Sequence, residues 1–278
     1  MQKSNLVLRF IIAVFGIWFI IFITHWGFIP FFLLITVIVV IGVLEWFSLM
    51  AVMGYKPLRI LGMCFTLLIM LSFFANGIGI NIKHPMLIVT SAVITMFIII
   101  FFIAGMFRKS IDALIIDVSM TFFGVFYIAW MLGHFIGLRE MALFGEYYVY
   151  LAFCSVWALD SAAYFIGMKY GKHKLIPGIS PNKSVEGAVA GFAASIIVVC
   201  LAKLIVIKYM TFGECLIIGS VIGIVGQFGD FAESVIKRNA GVKDSGRIVL
   251  GHGGVLDRFD SLIFVVPTVY YILKFLSR

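Results

Sequence analysis

Charged residues are what this sequence has least of. They make up 12% of 278 residues, where a soluble domain carries about 25%. Apolar residues reach 63%, which excludes an ordinary water-soluble fold and points to a polytopic membrane protein. Cysteine is scarce too: Cys64, Cys154, Cys200 and Cys215 all lie in apolar segments, without a C-x-x-C spacing. That argues against a zinc site or a disulfide scaffold and leaves them as small core residues. No small-residue cleavage site follows the first apolar run, so MQKSNLVLRF leads into an uncleaved first span and not a removable signal peptide. The apolar spans leave no room for an additional sizeable soluble domain.

What is there is a series of apolar runs. Nine of them meet the requirement of roughly 20 residues for a membrane crossing. They lie near 6–26, 29–50, 58–76, 86–106, 113–137, 148–168, 185–207, 212–235 and 257–276. The expected fold is all-α: an integral membrane protein of about nine transmembrane helices, forming a single membrane domain over 1–278. Residues 1–110 read as mainly scaffold and 111–278 as the functional helices and loops. With the N-terminus in the cytoplasm, fifteen of the 21 Lys and Arg residues fall on the cytoplasmic side and six on the other. This bias sets the expected orientation, and it explains the net charge of +8 without a nucleic-acid partner. The charged loops 169–184 and 236–256 then face the cytoplasm, where nucleoside triphosphates are.

The few ionisable residues inside the spans carry the next inferences. Glu45 and Trp46 close the second span and read as an interfacial anchor. Asp112 and Asp117 begin the fifth, where capping and dipole compensation explain them. Asp160 differs, because it lies well within an apolar run, and a carboxylate there is expensive unless paired, hydrated or metal-bound. Gly187-x-x-x-Gly191 and Gly219-x-x-x-Gly223 predict close helix contacts. Gly226 and Gly229 continue a small face towards Asp230.

The charge withheld elsewhere is concentrated in residues 234–260, SVIKRNAGVKDSGRIVLGHGGVLDRFD. Lys237, Arg238, Lys243, Asp244, Arg247, Asp257, Arg258 and Asp260 are interleaved there with Gly241, Gly246, Gly251, Gly253 and Gly254. Glycines let backbone N–H groups approach phosphate oxygens, cations neutralise them, and carboxylates hold a metal. Asp230, Glu233 and Lys237 share one helical face, and Asp257 and Asp260 share another. Such a set suits magnesium-dependent phosphoryl or nucleotidyl transfer.

This window resembles the signature of the phosphatidate cytidylyltransferases (CDP-diacylglycerol synthases). The resemblance is carried by Ser234-x-x-Lys237-Arg238, then Lys243-Asp244, then His252-Gly253-Gly254-x-x-Asp257-Arg258-x-Asp260. Leu250 stands where that family usually has Pro, a change in loop stiffness and not in a ligand. Two further stretches are similar to family elements. Asp160 opens one, with Ser161 and Ala162 as small departures, and Ser180-Pro181-x-Lys183-Ser184-x-Glu186-Gly187 is the other, with Val185 where Trp is usual. Ser184 also reads as a helix cap with Glu186 in the first turn.

The resemblance implies an enzyme that joins phosphatidate to CTP, giving CDP-diacylglycerol and pyrophosphate, in the bacterial inner membrane. It assigns magnesium chiefly to Asp230 and Asp257, and leaves room for a second, monovalent cation. Catalytic roles are expected of Asp230, Asp257, Lys237, Arg258 and Asp260. Substrate contacts are expected of Asp160, Ser180, Lys183, Glu186, Glu233, Arg238, Lys243, Asp244, Arg247, His252, Gly253 and Gly254. Lys243 is expected to serve the triphosphate, and Lys237 and Arg258 the lipid phosphate. The partners implied are CTP, phosphatidate and the bilayer; a homodimer is compatible with all of this. A CTP-dependent lipid or polyprenol kinase would share the metal and phosphate chemistry. A secondary transporter would instead show ionisable groups near the midplane and repeated halves, and no repeat is visible.

Overall fold

Inside a membrane, every backbone N–H and C=O of an apolar run must find its partner within the segment, and a helix achieves that. The computed structural model describes residues 15–77, 85–107, 113–141, 144–246 and 253–276. The apolar runs there are helical: α1 (Phe15–Trp26), α2 (Phe28–Val52), α3 (Arg59–Gly77), α4 (Pro85–Met106), α5 (Leu114–Val125), α6 (Met131–Arg139), α7 (Gly145–Tyr170), α8 (Val185–Ile205), α9 (Phe212–Asn239) and α10 (Leu256–Leu276). A π-helical turn, Phe126–Trp130, joins α5 to α6, so 114–139 forms one 26-residue span. Among the described residues, seven helices are long and apolar enough to cross a membrane, while α1 and α3 are shorter in their apolar length.

Two local features differ from the expected all-helical chain. Loop 169–184 contains an antiparallel hairpin of β1 (Lys174–Ile176) and β2 (Ser180–Ser184), turning at Pro177–Gly178. α9 continues to Asn239, four residues past the expected end at 235. Lys237 and Arg238 lie in its last turn, where cations complement the helix dipole, and Gly241, at φ +68°, allows the chain to leave.

The chain divides into two compact units. One holds Met1–Glu140 with Val242–Asp257, and the other Met141–Gly241 with Arg258–Arg278. The core of the first unit is aromatic, with Phe31, Phe47, Phe73, Phe97, Phe101 and Phe135 fully buried. The Trp46 indole N–H donates to the Met120 carbonyl at 2.9 Å, tying α2 to α5, and Gly124 leaves the space that the ring fills. Asp117 was expected to serve its own helix end. It does lie in the first turn of α5, and it is also buried and accepts the Lys56 N–H at 2.8 Å, while Thr121 accepts the Leu58 N–H at 2.9 Å. Together they hold the turn between α2 and α3, because a buried turn must satisfy its N–H groups somewhere.

In the second unit α7, α8 and α9 approach closely. A Cβ on Gly187 would lie 2.6 Å from the Ala163 carbonyl oxygen, and one on Gly219 would lie 2.6 Å from the Ile196 Cα. Both expected small-residue contacts are therefore present. The Ser195 hydroxyl, which lies 2.8 Å from the Gly219 carbonyl and 2.7 Å from that of Phe192, adds a polar link between α8 and α9.

Candidate active site

The second unit gathers carboxylates and lysines from four of its elements. α9 can bring Asp230 beside α10 because Gly229 lacks a side chain: a Cβ there would lie 2.6 Å from the Asp260 carbonyl oxygen. Asp230 pairs with the Lys183 ammonium, which also stands 4.1 Å above the centre of the Phe231 ring. Asp160 lies within electrostatic reach of Asp230 and Lys183, and Asp260 within reach of Asp230, Asp160 and Lys237. Lys237 pairs with the buried Glu233 one turn back, at 2.5 Å. Asp160 stands ten residues from the end of α7 at Tyr170, roughly 15 Å along the axis.

Of these groups, Asp160, Lys183 and Asp230 line a cavity of about 680 Å³. Asp160, Lys174, Lys183, Gln227 and Asp230 are among its polar lining residues, and Leu159, Ala163, Met168 and Leu175 among its apolar ones. Its volume falls within the roughly 300–1,000 Å³ of small-ligand sites. The Gln227 amide donates to the Gly223 and Ala188 carbonyls at 2.7 and 3.2 Å, closing the wall between α8 and α9.

The hairpin supplies the lysine. β2 runs directly into α8, and Ser184 caps that helix by accepting the Gly187 N–H at 3.2 Å, as expected. Glu186 accepts the backbone N–H of Lys172 at 3.1 Å and meets His173 Nδ1 at 2.7 Å, so its carboxylate fastens the chain leaving α7. Ser180 is half-buried at the start of β2, and the exposed Arg238 reaches the Ile179 carbonyl at 3.5 Å. Lys183 therefore stands on a strand fixed at both ends.

The first unit holds the remaining candidates. Asp257 Oδ2 accepts the N–H of Ser245 at 2.9 Å and of Gly254 at 2.7 Å, and the Ser245 hydroxyl lies 3.0 Å away. Gly253 adopts φ +83°, and a Cβ there would sit 2.6 Å from Asp257 Oδ2, so both its torsion and its space require glycine. Lys243 and Asp244 are exposed in the same stretch, and Arg258, which follows in the second unit, is also exposed. Arg247 and His252 lie outside the described residues, as does Asp112. Glu45 departs from the reading as an interfacial anchor. It is buried, and it accepts the Val255 and Leu256 N–H groups at 2.8 and 2.9 Å and the Ser245 hydroxyl at 3.0 Å. Its signal was present in the sequence, since a carboxylate in an apolar span invites the argument applied to Asp160. The pairing of Lys183 with Asp230 had no such signal.

Among the described residues, no group of three or more His, Cys, Asp or Glu side chains is gathered to hold a metal. Magnesium does not require one, being bound ordinarily through one or two carboxylates with water and substrate phosphates. Asp230 fits that chemistry, for the ammonium beside it marks where positive charge is stabilised. Asp257 fits as well, because donors converging on one oxygen aim the carboxylate.

Helices of crossing length, with carboxylates and lysines gathered at a cavity, define a polytopic membrane protein with a charged site. The model of the cytidylyltransferase family matches residues 7–276, and the chain belongs to that family. Among curated proteins, it is 39% identical over 161 residues to a phosphatidate cytidylyltransferase of Bacillus subtilis (strain 168), covering 58% of this chain and 60% of the relative. It is 48% identical over 139 residues to the protein of that name from Staphylococcus saprophyticus, covering 50% and 54%. A Staphylococcus aureus (strain COL) protein of the same name is 48% identical over 130 residues, covering 46% and 50%. The chain thus matches between one half and three fifths of the length of these relatives.

Proposed function

We propose that this protein transfers CMP from CTP to phosphatidate, forming CDP-diacylglycerol and pyrophosphate. The observation that carries the reading is the cluster of Asp160, Asp230 and Lys183 at a cavity lined by both polar and apolar residues, with Asp260 within electrostatic reach of the two carboxylates. Family membership and the names of the curated relatives support it. A phosphate oxygen of phosphatidate forms the new bond to the α-phosphorus of CTP. The bond from that phosphorus to the bridging oxygen breaks, and pyrophosphate leaves. A phosphate monoester is largely dianionic at neutral pH, its second pKa being about 6, so the attack needs no general base. The task left to the protein is to align two anions and neutralise charge.

Lys183 and Lys237 are the cations closest to that task in the second unit. Both are held by carboxylates and can exchange them for phosphate oxygens. Asp230 and Asp257 are the residues proposed to carry magnesium, which when bound would neutralise phosphate oxygens and polarise them. Arg258, exposed in the second unit, is assigned to the lipid phosphate, and Lys243, exposed in the first, to the triphosphate. We assign the charged loops to the cytoplasm on the bias of Lys and Arg, in a bacterial inner membrane with the N-terminus inside. On this reading α1 and α3 also cross, for nine spans.

The test is direct. Purified protein in phosphatidate-containing micelles receives CTP labelled at the α-phosphate and magnesium. Label should enter a CDP-lipid as pyrophosphate is released. Transfer of label from the γ-position instead would replace this reading with a lipid kinase.

A further inference from the structure

Val255, the residue before the helix that carries Asp257, has an apolar side chain with no acceptor to offer. The first N–H groups of a helix lack partners within it and need an acceptor. At α10 the acceptor comes from another helix: Glu45 of α2 takes the N–H of Val255 on one oxygen and that of Leu256 on the other. A carboxylate is well suited there, since helix N-termini favour negative charge. The same Glu45 oxygen that binds Leu256 lies 3.0 Å from the Ser245 hydroxyl. One carboxylate, only 4% exposed, thus ties Ser245 and the start of α10 together.

Ser245 is also a principal support of Asp257. Its N–H donates to Asp257 Oδ2, and its hydroxyl stands 3.0 Å from both that oxygen and Glu45 Oε2. A hydroxyl has a single proton to donate, so the two carboxylates share one donor. The glycines record the same arrangement, since a Cβ on Gly246 or on Gly254 would come within 2.5 Å of the Glu45 carboxylate. Gly254 then has a reason to be glycine that involves no ligand. It clears the path from Glu45 to the backbone that in turn holds Asp257.

We infer that Glu45 is the positioning residue for Asp257, fixing through Ser245 and the first turn of α10 the direction in which that carboxylate meets magnesium. The inference rests on the proposed magnesium-dependent transfer and adds to it a residue outside the motifs that carry the family resemblance. Partners that orient a ligating carboxylate characteristically change metal affinity when removed. A residue that merely held the fold together would change stability alone.

The experiment measures the thermal midpoint of the full-length protein in detergent against magnesium concentration, without substrates, beside the magnesium dependence of CDP-lipid formation. In Glu45→Gln, the magnesium concentration giving half the effect should rise on the order of 10-fold in both measurements. Ser245→Ala, which keeps the backbone N–H bonds to Asp257, should move it in the same direction by less, and it serves if Glu45→Gln does not fold. Glu45→Asp, whose shorter side chain keeps the charge, should recover part of the affinity. Lower stability with an unchanged magnesium dependence in Glu45→Gln, or in Ser245→Ala where the first does not fold, would overturn the positioning role while leaving the transfer reaction standing. A wild-type protein whose stability and turnover both ignore magnesium would overturn the metal assignment and this inference with it.

Discussion

The two units hold several of their carboxylates in different ways. In the first, Glu45, Asp117 and Asp257 receive backbone N–H groups, which cannot turn away once the fold has formed. In the second, Asp230 and Glu233 are met by lysine ammonium groups at the ends of flexible four-carbon stems. A carboxylate held by fixed donors is part of the frame. One held by a swivelling cation can give up its partner when a metal or a phosphate arrives, and the lysine can then neutralise the newcomer. The difference separates residues that shape the site from residues that work in it, with Asp257 as the exception: aimed by fixed donors, yet proposed to bind metal.

The largest effect should come from Asp230→Asn. Turnover is expected to fall on the order of 100-fold or more, the scale of losing one positioned electrostatic group, while size-exclusion and thermal profiles in detergent stay close to wild type. An active variant would erase the contrast, making Asp230 as structural as Asp117. Next comes Lys183→Met. The pair it breaks is partly exposed, with side-chain exposures of 30% and 27%, so it contributes only about 0–1 kcal/mol to stability. The KM for phosphatidate or CTP should nonetheless rise about 10-fold, as expected when one charge-assisted contact worth roughly 1.5 kcal/mol is lost. A large drop in thermal midpoint with unchanged KM would place Lys183 in the frame. The smallest effect belongs to Asp117→Asn. The amide keeps an acceptor for Lys56, so the loss should be about 1 kcal/mol of stability. The kcat of the folded protein, measured well below its thermal midpoint, should not change.

Much of this molecule can be read from its sequence, and the unread parts share a cause. Apolar runs give away the helices because a membrane crossing demands length and composition, both of which are local. The close approach at Gly187 and Gly219 follows from small residues spaced four apart, again a local pattern. Asp160 and Asp230 stand out because charge in such surroundings is expensive. The hairpin escaped because its strands are three and five residues long, although Pro177–Gly178 marks its turn. Glu45 escaped for a different reason. Its place in an apolar span marks it as costly, but its partners are 200 to 211 residues away, so nothing local says which groups it holds. The pairing of Lys183 with Asp230 likewise depends on how β2 enters α8, which no spacing in either segment reveals.

That long separation bears on how the protein is made. Glu45 leaves the ribosome some 200 residues before Ser245, Val255 and Leu256 exist to meet it. At roughly 5–20 residues per second, the interval is about 10–40 s. For that time α2 sits in or beside the translocation machinery with a carboxylate whose eventual donors are unsynthesised. The amino-terminal unit is therefore translated first and completed late. Residues 141–241, by contrast, emerge as an unbroken run of neighbours. A truncation that stops before Ser245 would leave the nascent chain with a polar group stranded in its second helix, a ready target for membrane quality control.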